Sequence, residues 1–73
     1  MAAMKLLMIV EETSTGWSAW SPDLPGCVAT GRTRDDAEAE MASAARFHME
    51  GLRDAGEPLP TSRSYAKMVE VAG

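Results

Sequence analysis

One histidine, His48, and one cysteine, Cys27, are the side chains best suited to proton transfer or nucleophilic attack. An imidazole titrates near neutral pH and can act as a general base, and a thiolate on a tight loop can attack an electrophile. Neither stands in a pattern that supports such chemistry. His48 falls on a helical stripe with Ala44, Ala45 and Leu52, which reads as a partly buried, hydrogen-bonded structural histidine. Cys27 follows Gly26 with no histidine near it in sequence, which reads as a small buried apolar side chain. Glu11, Glu12 and Asp23 could be imagined around a magnesium ion, but magnesium needs oxygens converging on octahedral geometry, and this spacing implies none; Asp23 is equally suited to capping its own turn. With no CxxC pair and a single histidine, zinc ligation has no candidate set. The residues therefore imply no catalytic site, no cofactor and no metal. The chemistry they do offer is recognition: Trp17 and Trp20 fall on opposite faces of a strand, so one indole belongs to the core and the other either anchors a partner or packs under a loop.

The elements that must position these groups are short and well punctuated. Met4 to Glu12, rich in Leu, Met, Ile and Val, has the length and composition of a strand near the centre of a sheet, and Thr13-Ser14-Thr15-Gly16 of a turn. Trp17 to Ser21 alternates with period two, so it pairs with the first segment as a hairpin. In Pro22-Asp23-Leu24-Pro25-Gly26-Cys27 each proline fixes its own φ and disfavours helix at the residue before it, while Gly26 reaches conformations strained for other residues. Cys27 to Arg32 follows as a third strand with Val28 and Thr30 on one face. Thr33 is a good N-cap, with Asp35, Asp36 and Glu38 at the positive end of the helix dipole. Ala37, Met41, Ala44, Ala45, His48 and Leu52 make the buried stripe of a helix that stops near Asp54 or Ala55, before Gly56, Pro58 and Pro60. Tyr65, Met68, Val69 and Val71 give Ser64 to Val71 a strand-like setting. The expected architecture is α+β, in the order β-β-β-α-β: a three-stranded antiparallel sheet, one long helix packed on it and a final C-terminal strand.

Size and charge bound the partners. The 73 residues read as one domain, 1–73, and a chain of this length hides only about 60% of its extended surface on folding, so an isolated monomer is marginal. One cysteine cannot form an internal disulfide, which leaves association with further copies, as a dimer or tetramer, as the expected staple. The opening apolar segment is too short and too close to Glu11 and Glu12 for a membrane span or signal peptide, so the expected location is the cytoplasm. Eleven acidic residues against seven Lys and Arg give a net charge of −4, with acids concentrated between Asp35 and Glu40 and no basic stripe. That balance suits a phosphate backbone poorly and a basic protein well.

Glu11-Glu12, Gly16-Trp17-Ser18-Ala19-Trp20, Ser21-Pro22-Asp23-Leu24-Pro25-Gly26-Cys27, Gly31-Arg32-Thr33, Asp35-Asp36-Ala37, Gly51-Leu52 and Gly56-Glu57-Pro58-Leu59-Pro60 occur in this order from about Met4 to Pro60. In these features the chain resembles the HicB family of antitoxins. The resemblance implies a double-stranded-RNA-binding-like or partial ribonuclease H-like fold. It also implies a partner, a small basic RNA-cleaving toxin of the HicA type that carries a catalytic histidine and is masked without any chemistry by the antitoxin. On this sequence the contact surface is expected at Trp20, Pro22, Asp23, Leu24 and Pro25, with Glu11 and Glu12 as secondary contacts. Members of the family often carry a helix-turn-helix or ribbon-helix-helix module after this domain, but only thirteen residues follow Pro60 here, so direct DNA binding by this chain is not expected. A stand-alone, homo-oligomeric interaction module without a toxin is the alternative reading.

Overall fold

The chain first reverses at Thr13–Gly16, where the Thr13 amide donates to the Gly16 carbonyl at 2.8 Å and the Thr15 amide to the Thr13 hydroxyl at 3.3 Å. The turn joins strand β1, Ile9–Glu12, to β2, Trp17–Trp20, in the computed structural model, which describes residues 4–73. Strand β3, Val28–Gly31, lies on the other side of β2, and the sheet is antiparallel throughout with order β1-β2-β3. The register Ile9↔Trp20↔Val28 and Val10↔Ala19↔Ala29 runs straight across it.

Between β2 and β3 the chain makes two consecutive turns. The Leu24 amide donates to the Ser21 carbonyl at 3.1 Å and the Cys27 amide to the Leu24 carbonyl at 3.2 Å. Each turn has proline at its second position, where φ is already set; in the second, Gly26 follows Pro25 with φ +83°, the positive value a type II turn requires there. Leu24, held between the two turns, is driven into the core.

Helix α1, Arg34–Asp54, starts where the Thr33 hydroxyl accepts from the Asp36 amide at 3.1 Å. It ends in a glycine cap: Gly56, at φ +71°, donates to the Arg53 carbonyl and Glu57 to that of Leu52. Both boundaries follow the sequence reading. The helix packs on the face of the sheet that carries Val10, Trp17, Ala19 and Ala29, leaning on β3 and β2 more than on β1. Among the described residues only Ala19, Leu24, Ala37 and Met41 are fully buried hydrophobics, with Leu6, Met8, Cys27, Ala45 and Met49 among those packed around them. The helix stripe thus runs Ala37-Met41-Ala45-Met49, while Ala44, His48 and Leu52 line a shallow groove with Cys27 and Val28. His48 is half-buried there, but its ring has no hydrogen-bond partner among the described residues.

Two expectations need correction. The first strand lies at the edge of the sheet rather than near its centre, and it pairs only over Ile9–Glu12 rather than from Met4, because Trp20, opposite Ile9, is the last residue of β2 before the Ser21-Pro22 turn takes the partner away. The final strand over Ser64 to Val71 is absent: these residues belong to no strand, and Tyr65, Met68, Val69 and Val71 are between 71% and 95% exposed. Their composition suits a strand, but a strand forms only against an edge, and this segment lies along none of its own chain.

Candidate functional site

Alternation along the strands leaves one face of the sheet without a helix. It carries Ile9 and Glu11 from β1, Ser18 and Trp20 from β2, and Val28 and Thr30 from β3, in two rows. The first row, Ile9-Trp20-Val28, is apolar, and Val28 is 62% exposed. The second, Glu11-Ser18-Thr30, is polar.

Of the two tryptophans, Trp17 packs against the core and Trp20 lies half-buried on the open face. Its indole N–H donates to Glu11 Oε1 at 2.7 Å. The two residues sit diagonally on adjacent strands, within reach across the pleat. A carboxylate in that position fixes the ring over the face and satisfies its polar end, leaving the ring surface for contact.

The double turn follows Trp20 directly in the chain. Pro22 and Pro25 are exposed, and Leu24, at 2% exposure, is a core residue that anchors the loop and offers no contact surface itself. Asp23 does not cap its own turn: the Ser21 hydroxyl does, accepting from the Asp23 amide at 3.2 Å. The Asp23 carboxylate instead reaches forty residues along the chain, where its Oδ1 accepts from the Arg63 amide at 3.2 Å and from the Ser64 hydroxyl at 3.5 Å. Oδ2 is buried without a partner.

The structure therefore joins Trp20 to Glu11 on the open face, leaves Pro22 and Pro25 exposed in the loop that follows, ties Asp23 to Arg63 and Ser64, and buries Leu24 in the core. Glu12, opposite Trp17, projects to the helix side, so the adjacent Glu11 and Glu12 do not act as a pair. No group of three His, Cys, Asp or Glu converges to hold a metal ion among the described residues, and no helix there is long and apolar enough to cross a membrane. Ile9 and Val28 complete the apolar row and were not singled out in the sequence; their signal is the period-two position they share with Trp20, usable only once the strand register is known. Exposed Phe47, 79% accessible on the outer side of α1, gave no signal at all, since a lone aromatic outside the stripe is common.

Comparison with known proteins places this geometry. The family model described as "HicB_like antitoxin of bacterial toxin-antitoxin system" matches residues 6–72. A curated relative, the uncharacterized 14.9 kDa protein of the rep-hol intergenic region of Haemophilus phage HP1 (strain HP1c1), is 36% identical over 53 residues. That alignment takes in 73% of this chain, and the chain spans 40% of the relative's length. Among solved structures, a chain of the HicA3 and HicB3 toxin-antitoxin complex is similar with 27% identity and a TM-score of 0.64, over 81% of this chain and 72% of that one.

Proposed function

We propose, from the premise that the chain belongs to the HicB-like antitoxin family of bacterial toxin-antitoxin systems, that it binds a HicA-like RNA-cleaving toxin and masks it. The observation that carries the reading is the open sheet face: an apolar row bearing a tryptophan held in place by Glu11, on a fold similar to a chain of a toxin-antitoxin complex. An interface centre needs a pre-set aromatic anchor with a polar margin, and this face has both. The net charge of −4 steers a basic partner toward it. Masking of this kind is steric and electrostatic, uses no catalytic group, and takes place in the cytoplasm, where such a toxin meets RNA.

The test is co-purification of the chain with a co-encoded HicA-like protein and suppression of its RNA cleavage. Trp20→Ala should weaken the complex by at least about thirtyfold, the ~2 kcal/mol of an interface anchor. Trp20→Phe keeps the apolar ring and should lose less. A Trp20→Ala protein that folds and inhibits like the parent would refute the assignment of this face.

A second reading, a homo-oligomeric module, is favoured by a separate observation. The chain exposes 5993 Å², whereas a folded protein of its mass exposes about 4,400 Å². The excess of about 1,600 Å² per copy, about 3,200 Å² for a pair, falls within the roughly 2,000–5,000 Å² that obligate homodimer interfaces hide. Association with further copies would cover it, whether or not a toxin is also bound.

A further inference from the structure

Beyond its last anchor the chain is a strand without a sheet. Asp23 holds the Arg63 amide and the Ser64 hydroxyl, and from there Tyr65 to Val71 runs on with its large apolar side chains in solvent. The radius of gyration is 14.1 Å, against about 11 Å for a compact chain of this length. Side chains alternate: Tyr65, Lys67, Val69 and Val71 fall on one face, Ala66, Met68 and Glu70 on the other. This is the pattern of an edge strand packed on both sides.

The same chain also carries a vacant edge. β1 pairs with β2 on one side only, and the extended residues before it, from Leu6, have no strand partner either. Because α1 leans toward β3, the helix leaves an apolar groove beside β1, lined by Leu6, Met8, Met41, Ala45, Met49 and Leu59. A strand added to β1 would place every second side chain in this groove. Residues 65–71 equal residues 6–12 in length, about 23 Å when extended.

We infer that residues 65–71 of one copy add as a fourth strand to the β1 edge of a second copy, reciprocally, closing a two-fold dimer. Tyr65, Val69 and Val71 enter the partner's groove. The Asp23 clamp fixes the root of the arm, so exchange orders few further residues. Reciprocal exchange is self-limiting, since each arm fills one edge and each edge receives one arm. Main-chain pairing removes an open edge that would otherwise invite uncontrolled association, and the surface in excess of a compact chain, about 1,600 Å² per copy or about 3,200 Å² for the pair, is of the size obligate homodimers hide. The inference deepens the homo-oligomeric reading and does not depend on toxin masking.

Sedimentation equilibrium on the full chain, with isotope-filtered NOE spectroscopy on mixed labelled and unlabelled copies, tests it. The expected result is a mass of twice 7.8 kDa, with filtered contacts from the Val69 and Val71 methyls to Leu6 and Met8. The double substitution Val69→Asp with Val71→Asp, both exposed in the single chain, should give a helical monomer at concentrations where the parent is dimeric. A parent that is monomeric across micromolar concentrations overturns both the exchange and the oligomeric reading. A dimer that survives the double substitution, or that lacks filtered contacts, overturns the exchange alone.

Discussion

Gly31 sets how closely the helix can approach the sheet, and replacing it tests that spacing. A Cβ built there would lie 2.5 Å from the Ala37 amide nitrogen, 2.8 Å from Asp36 Cβ and 2.9 Å from the Asp36 carbonyl carbon. All three atoms belong to the first turn of α1 or the base of a short side chain, so no flexible group can move aside. Gly31→Ala must displace the start of the helix from β3, and Ala37, fully buried in the four-residue core, moves with it. Overpacking of this kind costs about 1–3 kcal/mol, and with three fixed atoms inside contact distance the upper half of the range applies. For a chain of this size, total stability is about 4–11 kcal/mol, and each kcal/mol moves the midpoint by about 4–8 °C, so a fall of about 10–20 °C is expected. Gly51→Ala is the internal control: nothing lies within 4 Å of its added Cβ, it sits inside the helix, and alanine should stabilise by up to about 1 kcal/mol. Thermal and urea unfolding followed by circular dichroism, at one protein concentration because any association would contribute to apparent stability, read both. Equal, small effects of the same sign at the two glycines would refute the close approach and with it the packing of α1 on β3.

Two further substitutions separate the core from the loop and test the helix start. Leu24→Ala should cost about 2–5 kcal/mol in urea unfolding, because it empties one of the two largest fully buried side chains, whereas Pro25→Ala beside it should cost under about 1 kcal/mol; similar losses at both would show that Leu24 is not the loop's anchor. Thr33→Ala removes the hydroxyl that accepts from the Asp36 amide and should cost about 1 kcal/mol by the same measurement, an unchanged midpoint being the contrary result.

What could be read from the sequence was what depends on local chemistry. Thr33 and Gly56 bound the helix through hydrogen bonds to residues within four positions, and Pro22, Pro25 and Gly26 specify their turns through their own φ values, so the helix and the connector were legible residue by residue. The division of labour between Trp17 and Trp20 followed from period two, although which indole is outside depends on where the helix packs. What escaped was non-local. The Asp23 carboxylate has a turn-capping reading of equal local merit, and only the fold brings Arg63 and Ser64 to it. Leu24 sits in a polar loop motif and looks like a contact until the two turns on either side direct it inward. Tyr65 to Val71 has strand composition, but composition cannot supply an edge, and the chain's own topology leaves the segment without one.

The two surfaces argued for this chain use different directions of the same sheet. Strand addition to β1 engages main-chain N–H and C=O groups, which lie in the sheet plane, whereas the open face recognises through side chains that stand perpendicular to that plane. An arm from a second copy therefore widens the open face instead of covering it, setting Ala66, Met68 and Glu70 beside Ile9 and Glu11. A toxin seated on Trp20 would meet a four-stranded surface in the dimer and a three-stranded one in the single chain. If it touches the added strand, linkage requires that it tighten the dimer by the same factor by which the dimer tightens toxin binding. Masking and self-association on this fold would then reinforce each other, and a chain with four fully buried hydrophobics among its described residues would draw from a second copy the rigidity that an interface needs.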